Sequence, residues 1–179
     1  MPNNSLLIRN IAFLVTLDEE KRILRAAWLW IEDGFIHSLG EGEIPDEVPV
    51  SVERLSGVGR IVIPGLVNTH HHLYQNMARA YTPGNNLPLL PWLSHMNKLW
   101  KPFREDDLAL CTKLGIAELM FSGATTIADH HYVFPKGSID MIDAQFDAAA
   151  EMGVRFHASR GSMNVKSELI SDWALQDEE

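Results

Sequence analysis

The chain has 179 residues, 46% hydrophobic and 22% charged, with a net charge of −9. At about 150 residues per domain it holds one domain, or a small domain with part of a larger one, and the composition excludes a disordered chain. The acidic balance excludes a nucleic-acid backbone binder, which needs a basic face to displace counterions.

A single cysteine, Cys111, has no partner for an internal disulfide, which fits a reducing, cytoplasmic setting. Met1 to Ser5 carry no signal-peptide pattern, so none is expected. The longest apolar run, Ala26 to Ile31, is far below the roughly 20 residues of a membrane span; no membrane partner is expected.

From Leu6 to about Val62 the pattern predicts short strands: Leu6–Ile8, Ala12–Val15, Ala27–Ile31 and Phe35–Leu39. Glu32-Asp33-Gly34 is a tight hairpin signal, because Gly supplies the positive φ such turns require. Gly40, Gly42, Pro45 and Pro49 mark a loop before a further strand at Val50–Val52. Next comes Arg60 to His70, an apolar strand from Ile61 to Val67 broken by Pro64-Gly65 and ending in the polar Asn68, Thr69 and His70. That pattern suits a buried parallel strand whose carboxyl end carries chemistry. A Pro-, Asn- and Gly-rich loop is predicted from Thr82 to Pro91.

Beyond it, acids at Glu105, Asp106 and Asp107 open a helix that Ser122-Gly123 closes. Ala124–Asp129 is a second buried strand. Asp140–Glu151 is a helix with Ile142, Phe146 and Ala149 on one face and Gly153 as its stop. Val154–Ala158 is a third strand. Strand and helix in alternation imply right-handed βαβ units and a parallel sheet.

The strongest chemical signal is His70-His71-His72 at the end of the first parallel strand. Residues i and i+2 of an extended strand project to one side, so His70 and His72 can reach one metal ion while His71 points away. A surface histidine cluster is the plainer reading; the apolar strand and Pro-Gly before the run favour ligation. Two ligands do not complete a catalytic site, which takes three or more.

Asp129-His130-His131-Tyr132 ends the second strand, and strand ends of a parallel sheet converge. Asp129 either orients an imidazole or caps a loop, and the sequence leaves both open. His130 and His131 read as pocket lining rather than ligands, and His157 as part of the sheet wall. Arg160, followed by Gly161, can present a planar donor fork to a substrate carbonyl or carboxylate; taken alone it reads rather as an ordinary surface ion pair. Gln75, three residues past His72, is placed to hydrogen-bond a heterocycle beside the metal. Trp92, Trp100 and Phe103 either cover a flat substrate or, as such residues more often do, pack the next helix. Nucleotide-cradle, zinc-ribbon and serine-hydrolase motifs are absent.

Read together, Pro64 to Asn76, Asp129 to Pro135 and Arg160-Gly161-Ser162-Met163 resemble the amidohydrolase superfamily. Within it they look like the branch of 8-oxoguanine deaminases and triazine aminohydrolases. The resemblance implies an α/β fold: the first part of a metal-dependent (β/α)8 TIM-type barrel, preceded by part of a small β-sandwich. On that basis residues 1–62 are a partial sandwich and 63–179 the first strands and helices of an incomplete barrel.

It further implies one divalent metal ion, zinc, held by His70 and His72, with Gln75 and Arg160 contacting a purine-like ring. A small heterocyclic substrate and a homo-oligomer at full length are the implied partners. The family's remaining ligands and its general acid, from the fifth, sixth and eighth strands, find no match here. A barrel of about 250 residues is also longer than the stretch from Pro64 to Glu179, so an N-terminal fragment is expected, inactive alone. The implied reaction is hydrolytic deamination, 8-oxoguanine to urate, with an s-triazine amino- or chlorohydrolase as the alternative. A non-catalytic or split fragment needing a partner is the reading of another class.

Overall fold

The computed structural model describes residues 5–162; Met163 and the segment to Glu179 lie outside the described residues. The chain separates into two compact units, Met1–Pro64 and Gly65–Glu179.

In the first unit, β1 (Ser5–Val15), β2 (Ile23–Glu32), β3 (Phe35–Glu41), β4 (Glu53–Ser56) and β5 (Ile61–Val62) form one sheet. Its order is β3-β2-β1-β4, with β5 also paired to β1. β1 runs antiparallel to β2 and parallel to β4 and β5. The two strands expected at Leu6 and Ala12 are one, joined through a bulge between Ile8 and Ile11, where Asn10 takes a φ of 58°. The extra residue switches the side of the strand that is buried: before the bulge Leu7 packs with Trp28 and Trp30, and after it Ile11 and Leu14 pack with Ala27 and Leu29. At the β2–β3 hairpin both Asp33 (φ 49°) and Gly34 (φ 80°) are left-handed, as the primed turn of a two-residue hairpin demands.

The strand expected at Val50–Val52 is a turn, and β4 begins one residue later. Pro45 and Pro49 each start a turn, their carbonyls accepting from the N–H groups of Val48 and Val52. Val48 and Val52 are thereby buried beside Leu7, Trp28 and Trp30. Two turns achieve the burial that a strand was expected to provide.

In the second unit, β6 (Leu66–Asn68), β7 (Ala124–His131) and β8 (Arg155–Arg160) form a parallel sheet in that order. Between β6 and β7 lie a short 3-10 helix at Leu73–Ala78, another at Thr82–Gly84, then α1 (Leu89–Trp100) and α2 (Glu105–Phe121). α3 (Met141–Met152) joins β7 to β8. The unit is therefore the strand–helix alternation expected of an α/β chain. The apolar run around Pro64-Gly65 is not one strand: its first part pairs with β1 and its second with β7.

α1 takes only the end of the expected loop, Leu89 to Pro91. Pro91 is its third residue, within the first turn, where no N–H is needed for an intrahelical bond. α2 opens as the acids require, with Asp107 Oδ2 accepting the Arg104 N–H at 3.0 Å. α3 stops at Gly153, φ 73°, whose N–H bonds the carbonyls of Ala149 and Ala150.

The face of α3 differs from expectation. Met141, Gln145, Ala148 and Ala149 are buried while Phe146 is 45% exposed. The stripe at i, i+4, i+7 and i+8 carries a polar residue, so counting apolar residues turned the helix by about one position. Two apolar clusters pack the unit: one around Leu73, Ile116, Ile127 and Ala149, the other around Tyr74, Trp100, Phe103 and Leu108. No helix among the described residues is long and apolar enough to cross a membrane.

Candidate metal centre

Parallel pairing of β6, β7 and β8 gathers their carboxyl ends on one edge of the sheet. His70, His71 and His72 follow β6, His130 and His131 end β7, and Arg160 ends β8 opposite His131.

The His70 and His72 rings lie 4.9 Å apart between centroids, at 88°. Two imidazoles sharing one tetrahedral zinc at ordinary Zn–N lengths would place their centroids roughly 5 Å apart. His130 stands 4.9 Å from His70 and 6.0 Å from His72. His72 Nδ1 is 2.8 Å from the carbonyl oxygen of His130. A carbonyl only accepts, so His72 donates from Nδ1; in the neutral ring this leaves the lone pair on Nε2, the tautomer a ligating imidazole needs. The His130 N–H in turn donates to the His71 carbonyl at 2.8 Å. These crossed bonds tie the histidine loop to the end of β7.

The residues fit part of a metal shell. His70 and His72 supply two imidazoles in suitable relation, one with its tautomer fixed. Among the described residues no group of three or more His, Cys, Asp or Glu has ligating geometry.

Asp129 takes the capping role of its two open readings. It is fully buried; Oδ1 accepts the Leu73 N–H at 2.6 Å and Oδ2 accepts from Gln145 Nε2 at 2.7 Å. Burial pushes its carboxyl up from the ordinary range, and those two donors pull it back. His131 is also fully buried, with its ring 5.4 Å from Tyr74 and 4.9 Å from Phe134. Neither of its nitrogens has a hydrogen bond of normal geometry. Burial lowers its pKa to about 4, the backbone of Val133 opposing weakly. Burial likewise raises the Tyr74 phenol, which is hydrogen-bonded to Tyr132.

A cavity of about 370 Å³ opens beside His72, lined by His71, His72, Gln75, Asn76, Arg79 and Trp92 among others. Its size suits a small fused ring. Gln75 is thus beside His72, its Nε2 3.3 Å from the Tyr74 hydroxyl. His71, expected to point away, lines this cavity, and burial lowers its pKa. Trp100 and Phe103 are core residues, and Trp92, which lines the cavity, also packs against that core with its ring 5.6 Å from Trp100.

Arg160 is not part of the cavity wall; its guanidinium lies 4.6 Å from the Phe134 ring centroid. His157 is exposed on β8, opposite Ala128. Asn76 and Arg79 were missed because the short 3-10 helix that carries Asn76 and ends just before Arg79 has no periodic signature. Arg79 pairs with Glu118 of α2 and donates to Asn76 Oδ1 at 2.6 Å. Gln145 was missed too, though a glutamine amid an apolar stripe was a usable signal.

Residues 61–179 match the amidohydrolase family, and the chain belongs to it. It is 43% identical over 141 residues to 8-oxoguanine deaminase of Pseudomonas aeruginosa, covering 78% of this chain and 31% of that protein. It is 35% identical over 161 residues to hydroxydechloroatrazine ethylaminohydrolase of a Pseudomonas species, covering 85% and 34%. The crystal structure of an atrazine chlorohydrolase from Arthrobacter aurescens complexed with zinc superposes with a TM-score of 0.81 at 32% identity, over 90% of this chain and 36% of that one. The chain therefore spans about a third of the length of these relatives.

Proposed function

We propose that the chain supplies the first part of a (β/α)8 barrel enzyme, a metal-dependent hydrolytic deaminase acting on a purine-like heterocycle, with 8-oxoguanine as substrate. The observation that carries this reading is the His70–His72 pair, of which His72 lines a cavity that also holds Gln75. The 43% identity to an 8-oxoguanine deaminase supports the substrate, and the zinc-complexed chlorohydrolase supports the metal.

His70 and His72 would hold one divalent ion, which when bound makes water a nucleophile at neutral pH. His130 fixes the His72 tautomer through its carbonyl. Gln75 offers both a donor and an acceptor to the ring edge of a bound heterocycle, and the Trp92 indole walls the same cavity. Arg160 is the further residue proposed to reach the substrate. Asp129 stays on the Leu73 backbone and takes no part in proton transfer. The balanced reaction is 8-oxoguanine plus water to urate plus ammonia.

The test is ammonia release from 8-oxoguanine, guanine and an amino-s-triazine, with the chain in its full-length context. Preference for 8-oxoguanine is expected, and activity is expected to vanish in His70→Ala and His72→Ala. Preference for the triazine would transfer the chain to the second reading, which the 35% identity to the ethylaminohydrolase supports.

A further inference from the structure

Gln145 occupies the centre of the buried stripe of α3 and is wholly enclosed. An apolar side chain would satisfy the packing, whereas the carboxamide leaves its Oε1 buried without a hydrogen bond, an arrangement that costs free energy. What it gains is one contact: Nε2 donates to Asp129 Oδ2 at 2.7 Å. Asp129 Oδ1 holds the N–H of Leu73 at 2.6 Å, and Leu73 directly follows His72. On the other side, the His130 N–H and carbonyl hold the His71 carbonyl and the His72 ring. The histidine loop is therefore gripped twice by consecutive residues of β7, and one grip is braced from α3. Without the Gln145 donor, the enclosed Asp129 carboxylate would turn to another partner, and the Leu73 N–H would move with it.

We infer that Gln145 is a positioning residue for His72: through Asp129 it holds the loop so that the His72 ring keeps Nδ1–H on the His130 carbonyl and Nε2 free for a metal ion. The metal part of this inference rests on the reading of His70 and His72 proposed above.

The test uses the full chain labelled with ¹⁵N-histidine, first metal-free and then titrated with zinc alone. The wild-type His72 ring is expected to show a protonated Nδ1 and a bare Nε2. Gln145→Leu, which removes the donor at similar volume, is expected to mix the His72 tautomers. It is also expected to weaken zinc binding about 10- to 100-fold, the usual effect of losing a group that orients a ligand. Lys113→Ala, which removes the ion pair to Glu151 between α2 and α3 without touching the brace, is expected to change neither readout.

Should Gln145→Leu fail to fold, Gln145→Glu sets two carboxylates against each other. Gln145→Glu combined with Asp129→Asn restores one bond with donor and acceptor reversed. The single variant is expected to lose the His72 signature and the double variant to regain it. A wild-type His72 tautomer in the single Gln145 variants, or an equal change in Lys113→Ala, overturns the inference. Failure of the metal reading is separate and visible: His72→Ala would bind zinc as the wild type does, whatever the tautomer in the Gln145 variants.

Discussion

His130 and His131 are adjacent in sequence and opposite in surroundings. The strand alternation of β7 leaves His130 exposed beside His70 and sends His131 into the core. His131 therefore makes stability depend on pH. An unfolded histidine titrates near 6.5, while in the fold burial brings His131 to about 4. Between these values the unfolded chain binds more protons, so the stabilisation is complete above about pH 6.5 and lost as pH falls towards 4. Full loss amounts to on the order of 3 kcal/mol. Urea unfolding at pH 7.5 and 4.5 is expected to show this drop in the wild type and a much smaller one in His131→Phe. Equal drops would place the acid sensitivity elsewhere.

At this scale the sequence was legible where residue type and period coincide. His70 and His72 could be paired from their i, i+2 spacing. Gln145 and Leu73, which brace them, could not, because their connection runs through Asp129 across 16 and 56 residues of chain.

Among the elements, capping and turn chemistry was readable and tertiary context was not. The acids opening α2, the Asp33-Gly34 hairpin and the Gly153 stop obey local backbone requirements. Asp107→Ala is expected to cost about 1 kcal/mol by releasing the Arg104 N–H, measurable as a lower thermal midpoint. Unchanged stability would show that this bond is not needed.

The β1 bulge was invisible, because nothing in Arg9-Asn10 distinguishes a bulge from a break between strands. Its left-handed Asn10 makes a sharper prediction. Asn10→Val is expected to cost about 1–2 kcal/mol, because a β-branched residue resists that conformation, whereas Asn10→Gly is tolerated. Equal stability of the two variants would mean that the bulge relaxes. α1 was missed because Pro91 reads as a breaker unless its place in the first turn is known.

At the scale of the molecule, the family match over 61–179 sets this parallel sheet among longer relatives. Among the described residues β6 is an edge strand, with Leu66 and Val67 47% and 61% exposed. Exposed apolar edges invite pairing with other chains, so the purified chain is expected to self-associate, and Val67→Lys to reduce that association in light scattering. Association that Val67→Lys leaves untouched would locate the contact elsewhere.

The central claim is that His70 and His72 hold a metal ion, and zinc titration by calorimetry tests it most directly. One zinc per chain is expected in the wild type. Affinity is expected to fall at least about tenfold in His70→Ala and in His72→Ala, since each removes one of few ligands. It is expected to stay unchanged in His95→Ala, which alters a residue of α1 whose ring lies 5.8 Å from Tyr81. Wild-type affinity in His72→Ala, or an equal loss in His95→Ala, would contradict the account.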